Sequence, residues 1–166
     1  MSQTPQITLR KAEPGDERLL LDFIRKIAEY EKLSHEVTAT EELLKETLFC
    51  EHPRVEALLG FIDEKPVAYA VYFYNFSTFK GKLGLYLEDL FVLPEYRGSG
   101  FGKKILLTLA QIAHEKKCGR FEWCVLDWNT PAIEFYKSLG AVPMDEWTIF
   151  RLEEEGIARL AEQAEV

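Results

Sequence analysis

LGLYLEDLFVLPEYRGSGFGKKIL, Leu83 to Leu106, decides how the chain is read. Leu83 to Leu93 is apolar apart from Glu88 and Asp89 and reads as a strand. Arg97 then precedes glycines at 98, 100 and 102. From Lys103 the run KKILLTLAQIAHEKK puts Ile105, Leu106, Leu109, Ala110 and Ala113 on one helical face. Its closing lysines suit the negative end of the helix dipole. A strand, a glycine turn and a helix in succession are the unit of an α/β fold. Glycine costs conformational entropy, so three in one turn imply that backbone must come close to something. Such a turn bares N–H groups at the positive end of the helix, which makes an anion site, most simply for phosphate or pyrophosphate. Lys103 and Lys104 add charge there although they oppose the dipole. A tight turn with ordinary solvated lysines accounts for the same residues equally well. Two standard phosphate motifs fail: Lys103 stands where G-x-G-x-x-G needs its last glycine, and Arg97 and Lys104 break the P-loop pattern.

Outward from this centre the period of the apolar residues changes along the chain. QITLRKA (6–12) alternates as a half-buried strand does, and Pro14-Gly15-Asp16 breaks it and caps a helix. That helix shows as a stripe through Leu20, Phe23, Ile24, Ile27 and Ala28. Thr38 with Glu41 offers a capping box for a second helix. VEALLGFI (55–62) and PVAYAVYFYNF (66–76), split by Asp63-Glu64-Lys65, read as a hairpin. RFEWCVLDW (120–128) is a strand, NTPAIEFYKSLG (129–140) a short helix ended by Gly140, and EWTIFRL (146–152) a final strand before an acidic helical tail. The expected order is β-α-α-β-β-β-α-β-α-β, with a mostly antiparallel front half.

At 166 residues the chain is expected to be a single domain, 1–166. Hydrophobic residues make up 47%, enough to bury a core without disulfides. Twenty basic against 28 acidic side chains give a net charge of −8, which argues against nucleic-acid binding. That balance suits a cleft for cationic small molecules, and equally suits simple solubility. Cys50, Cys118 and Cys124 form no C-x-x-C pair, and His35, His52 and His114 share no ligand spacing, so no metal is expected. No segment approaches the roughly 20 apolar residues of a membrane span, and no secretory leader is evident. No membrane association and a cytoplasmic, thiol-reduced setting are the resulting expectations.

Arg97-Gly98-Ser99-Gly100-Phe101-Gly102 matches the R/Q-x-x-G-x-G/A signature of the GNAT superfamily of N-acetyltransferases. LYLEDLFVLPEYRGSGFG, LDWNTPAIEFYKSLGA and AEYEKL together resemble the diamine (spermidine/spermine) and thialysine acetyltransferase group. The resemblance runs from about Ile7 to Leu152. It implies a GNAT fold, a central mixed, twisted sheet with helices on both faces. It implies an acetyl-coenzyme A donor, a primary amine of a small cationic acceptor attacking directly, and a homodimer. By the same resemblance, N–H groups of Gly98, Ser99, Gly100, Phe101, Gly102 and Lys103, with Arg97 beside them, take the pyrophosphate. Leu90, Phe91 and Val92 pair with the pantetheine arm, and one N–H there polarises the thioester. LFVL is also a plain buried strand, and both readings hold together because backbone does the binding.

Asn129, Thr130, Pro131 and Ala132 match the group's cofactor-contacting segment, and Asn129 is as good a helix N-cap. Tyr136 occupies the general-acid position, where a phenol of pKa about 10 can protonate the departing thiolate. Spacing alone would put it in the core beside Ile133. Glu88 and Asp89 sit amid apolar residues, a poor place for solubility alone. An amine arrives as an ammonium ion, and a nearby carboxylate can hold it and take its proton through water. Adjacent strand residues face opposite sides, so one of the two should line a given cleft, and the resemblance favours Glu88. Tyr30 and Glu31 match acceptor-contacting positions, or are the solvated end of their helix. The segment 79–85 lacks the tryptophan that mammalian polyamine enzymes carry near this loop and runs one residue longer, which bears on the acceptor. Cys124 is a conceivable covalent relay but reads as a core strand cysteine. Other readings are a non-catalytic acyl-coenzyme A-binding regulatory module, a GNAT acting on a protein N-terminus or antibiotic, and a nucleotide-binding module.

Overall fold

The computed structural model describes residues 6–164 in two compact units, one ending at Leu126 and one beginning at Asp127. The first holds strands β1 (Thr8–Lys11), β2 (Val55–Ile62), β3 (Lys65–Ser77), β4 (Lys82–Val92) and β5 (Arg120–Trp123), with helices α1 (Glu17–Tyr30), α2 (Glu41–Leu48) and α3 (Phe101–Glu115). The strands form one sheet in the order β1-β2-β3-β4-β5. Its first pairings are antiparallel and β4–β5 is parallel, so the sheet is mixed, as expected. The β2–β3 hairpin turns on Asp63 and Glu64, both left-handed at φ 46° and 65°.

Side-chain alternation assigns the helices to faces. Leu59, Tyr69 and Phe91 lie opposite one another across β2, β3 and β4, and they join Leu20, Phe23 and Leu48 of α1 and α2 in one core cluster. The Phe23 ring stacks on Tyr69 at 5.1 Å. One residue on, Ala68 and Val92 are paired on the other face, where a Cβ built on Gly102 of α3 would lie 4.0 Å from Val92. Lys104 Nζ reaches from α3 to the Ile7 carbonyl at 2.5 Å. Helices therefore cover both faces.

Two caps differ from expectation. The α2 cap is Thr40, whose Oγ1 accepts from Leu43 N–H at 3.2 Å, and not Thr38 with Glu41. Thr40 is the residue in extended conformation directly before the first helical turn, and Glu41 is already inside it. Asp16 directs its carboxylate to Arg10 (2.7 and 3.0 Å) and to Glu13 N–H (2.8 Å), not to the first turn of α1. Arg10 accordingly holds Asp16 below the usual carboxylate range.

The second unit holds α4 (Thr130–Ser138) and α5 (Glu154–Ala161). Gly140, at φ 87°, donates to Lys137 O and ends α4 as expected. The final strand expected at 146–152 is absent among the described residues. A strand exists only through a ladder partner, and this stretch finds none, leaving Trp147 73%, Ile149 71% and Phe150 93% exposed.

Leu59 is fully buried in the central part of the core cluster. Leu59→Ala should cost about 2–5 kcal/mol, read as a lower urea midpoint with an unchanged slope. A loss below about 1 kcal/mol would show that this cluster does not carry the sheet.

Candidate active site

The strand β4 carries an irregularity at its centre. Val71 pairs with Asp89 and the next residue, Tyr72, pairs with Leu87, so Glu88 is one residue too many and bulges from the ladder. The parallel pairing with β5 covers Gly84–Leu87 against Arg120–Trp123 and stops there. From Glu88 to Val92 the outer edge of β4 has no strand beside it among the described residues. That edge contains Leu90, Phe91 and Val92. Phe91 is buried in the core while Leu90 and Val92 are half-buried, so the backbone is what this edge offers. The Val92 carbonyl already accepts from Arg97 Nε at 2.9 Å.

The bulge changes the expected division between Glu88 and Asp89. Asp89, opposite Val71, falls on the face that carries Tyr69 and α1, and Tyr69 donates to its Oδ2 at 2.6 Å. The Tyr69 hydroxyl lies in the field of three carboxylates, Asp89, Glu31 and Glu88. Burial first, then these charges, raises its pKa well above the ordinary phenol value. Burial raises Asp89 as well, against the opposing pull of the Tyr69 hydrogen bond. Glu31 is raised by burial and by the charge of Asp89. Glu31 is the C-cap of α1, and Lys32 after it turns left-handed at φ 63°. It is therefore a half-buried helix cap within the field of Asp89. The Tyr69 hydroxyl thus feels the charge of both carboxylates, while Asp89 bonds to it and Glu88 is exposed at the bulge.

Tyr30 joins from the last turn of α1. The Arg97 guanidinium lies 4.7 Å over its ring and 5.1 Å over that of Phe91. The cation that opens the glycine turn is thus packed on aromatic faces beside the acidic cluster.

The turn itself is open. Gly98 and Gly100 have φ 79° and 80°, and a Cβ on either would meet nothing within 4 Å. The first helical bond of α3 is Lys104 N–H to Gly100 O at 3.0 Å, which leaves N–H groups of Phe101, Gly102 and Lys103 outside the helix ladder. Ser99 and Lys103 are exposed, while the Phe101 side chain is buried and anchors the helix start. Free N–H groups, a dipole and space suit an anion with several oxygens. Lys104 is a correction: its amine is committed to the Ile7 carbonyl and does not serve the turn.

Asn129, Thr130, Pro131, Ala132 and Tyr136 lie in the second unit. Asn129 is the N-cap of α4, yet its side chain makes no capping hydrogen bond. Thr130 and Pro131 are exposed, Ala132 is half-buried, and Tyr136 is half-buried with its ring 5.5 Å from that of Phe135.

Sequence reasoning missed one residue and misplaced another. Tyr69 sits in VAYAV, where nothing separates it from any strand aromatic. Cys124 is exposed rather than core, because β5 ends one residue before it, and its Sγ lies 3.0 Å from Tyr86 Oη where β4 and β5 part. Phe79, in the loop lacking the tryptophan, is 99% exposed. Among the described residues no group of three or more His, Cys, Asp or Glu could hold a metal ion.

The model of the Acetyltransferase (GNAT) family matches residues 22–141. The thialysine N-epsilon-acetyltransferase of Bos taurus is 41% identical, with 93% of this chain and 97% of that one covered. The L-ornithine N5-acetyltransferase of Arabidopsis thaliana is 29% identical over 87% of this chain and 83% of its own. Among solved structures, an integron cassette protein from the mobile metagenome of V. cholerae superposes with a TM-score of 0.78 at 27% identity, covering 95% of this chain and 98% of that one.

Because the folded pKa of Asp89 lies above its unfolded value, the folded chain holds that proton more tightly, and stability falls as pH rises through the window between the two. Above that window the ionised carboxylate is a cost. Asp89→Asn should raise Tm at pH 7.5 by about 2–4 °C, the equivalent of roughly 1 kcal/mol, and the gain should vanish in acid. Equal Tm values at both pH values would contradict the burial of a charge there.

Proposed function

The chain belongs to the acetyltransferase (GNAT) family, an acyl-coenzyme A-dependent N-acetyltransferase of small amines, and from that premise we propose its donor, acceptor and machinery. The donor is acetyl-coenzyme A, which supplies an activated thioester. The N–H groups of residues 98–103 hold its pyrophosphate, and the free edge of β4 at Leu90, Phe91 and Val92 receives its arm. Asn129, Thr130, Pro131 and Ala132 make further cofactor contacts on the strength of the motif they match.

The acceptor is a small amine with more than one positive charge. The observation that carries this reading is the bulge of β4, where Glu88 stands at the parting from β5 beside a cluster containing Asp89 and Glu31. The two named relatives act on ornithine and thialysine, amino acids that bear a second amine. An ammonium ion of pKa about 10 cannot attack until it loses a proton, and Glu88 takes that proton through water. A β4 N–H polarises the carbonyl, a kind of contact that contributes about 3–4 kcal/mol where it has been removed. Tyr136 returns a proton to the leaving thiolate. Tyr30 and Glu31 line the acceptor side. A homodimer and a cytoplasmic setting belong to the same proposal. Support for them comes from the exposed Trp147, Ile149 and Phe150 and from three cysteines without disulfides.

Thiol release from acetyl-coenzyme A across an amine panel tests the whole. Release should be fastest with dications, and tight coenzyme binding with no release for any amine would leave a binding module instead. Glu88→Gln should lower kcat/KM for cationic amines about 10²–10⁴-fold with coenzyme affinity kept. Equal loss for neutral and cationic acceptors would remove the base role. Tyr136→Phe should slow turnover with little change in coenzyme binding, and an unchanged rate would remove the acid.

A further inference from the structure

Tyr69 is, by position, a core residue. It is fully buried on the central strand β3 and its ring stacks on Phe23 at an interplanar angle of 10°. Packing of that kind requires the ring and not the hydroxyl. A buried hydroxyl is a cost unless bonded, and phenylalanine would fill the same volume without it. The hydroxyl is spent on one atom, Asp89 Oδ2, at 2.6 Å, a short bond of the charge-assisted kind.

Asp89 is an unusual partner. It is mostly buried, and among the described residues neither it nor Glu31 is in an ion pair with a lysine, arginine or histidine. Tyr69 from β3 bonds to it, Glu31 at the end of α1 feels its charge, and Glu88 precedes it on its own strand, its charge felt at the Tyr69 hydroxyl. Arg97, the cation packed beside the cluster, donates to the Val92 carbonyl and lies over the Tyr30 and Phe91 rings. Burial pushes Asp89 toward its protonated form, and a neutral Asp89 could not hold a cation. The Tyr69 bond acts in the opposite sense. It favours the ionised form, fixes the rotamer, and leaves Oδ1 as acceptor capacity.

We propose that Tyr69 is a positioning residue for acceptor selection: its hydroxyl holds Asp89 as the anionic anchor for the acceptor's second positive charge, and thereby makes the enzyme prefer dications to monoamines of equal length. The inference rests on the amine-acceptor reading of the site and deepens it. The two carboxylates then divide their work. Glu88, displaced by the bulge, serves the nitrogen that reacts, and Asp89, tied to the core through Tyr69, serves the nitrogen that does not.

The test compares wild type and Tyr69→Phe with butane-1,4-diamine and butylamine. The ratio of kcat/KM for diamine over monoamine should fall roughly tenfold, the size expected for losing one hydrogen bond to a charge. The acid limb of the diamine pH profile should move to higher pH. A purely structural role for Tyr69 would lower both acceptors together and leave the profile where it was, and that result overturns the proposal. Aspartate carboxyl-13C NMR, with Asp89→Asn identifying the resonance, gives a reading independent of turnover. Its midpoint should rise about one pH unit in Tyr69→Phe, and an unmoved midpoint overturns the proposal. Asp89→Asn should remove the diamine preference with Tyr69 in place, which covers the case of a poorly folded Tyr69→Phe. Wild-type protein that transfers acetyl to both amines without preference overturns this inference alone. Wild-type protein that transfers to no amine overturns the acetyl-transfer reading as well.

Discussion

Between Leu87 and Asp89 the strand β4 uses three residues where its neighbour β3 uses two, and this one mismatch organises the site. A regular strand would have kept its side chains in strict alternation and continued its pairing with β5. The bulge instead sets Glu88 out of the ladder at the point where the β5 pairing ends, next to Leu87 and Trp123. The same stretch of backbone therefore provides a displaced carboxylate, an edge with no strand beside it among the described residues, and a second carboxylate turned onto the α1 face. Bulges cost pairing, and they persist where a side chain must be aimed.

The chain beyond β4 is equally constrained. It passes through left-handed Gly98 and Gly100 before α3 begins, and α3 is held to the sheet by buried Phe101, Ile105, Leu106 and Leu109 and by the Lys104 bond to Ile7. Because the helix is anchored at that end, its unladdered N–H groups are fixed in direction before any ligand arrives. Electrostatic binding by fixed dipoles needs no reorganisation, which is what the proposed diphosphate site requires. The acidic cluster and the glycine turn lie at the two ends of one short path, residues 88 to 103, so on the proposed reading neighbouring stretches of chain receive opposite charges.

Much of this was legible in the sequence, for identifiable reasons. Periodicity located α1, α3 and the β2–β3 hairpin within a few residues, because long elements with one buried face repeat their signal. The glycine turn was legible because positive φ demands glycine. The bulge was not, since the ladder register depends on β3 and LYLEDLFV reads as an unbroken strand. Tyr69 was invisible for a related reason: its partner lies twenty residues away, and only the fold brings the hydroxyl to Asp89. The strand expected at 146–152 failed in the opposite way. EWTIFRL has strand chemistry, but strand is a property of a pair, and the described chain supplies no partner.

A cluster of this kind also explains its own cost. Asp89 and Glu31 are both pushed toward protonation in the free protein, so the fold is less stable for carrying them ionised. An arginine in ion-pair contact with them would relieve that cost and would also neutralise the site before any acceptor arrived. Hydrogen bonding from Tyr69 is the different solution: it stabilises the ionised form without cancelling its charge. The field that raises the energy of the empty site is then the field that a dication lowers on binding. Stability given up in the free enzyme returns as selectivity for the acceptor, which is why a neutral donor suits this position better than a cation.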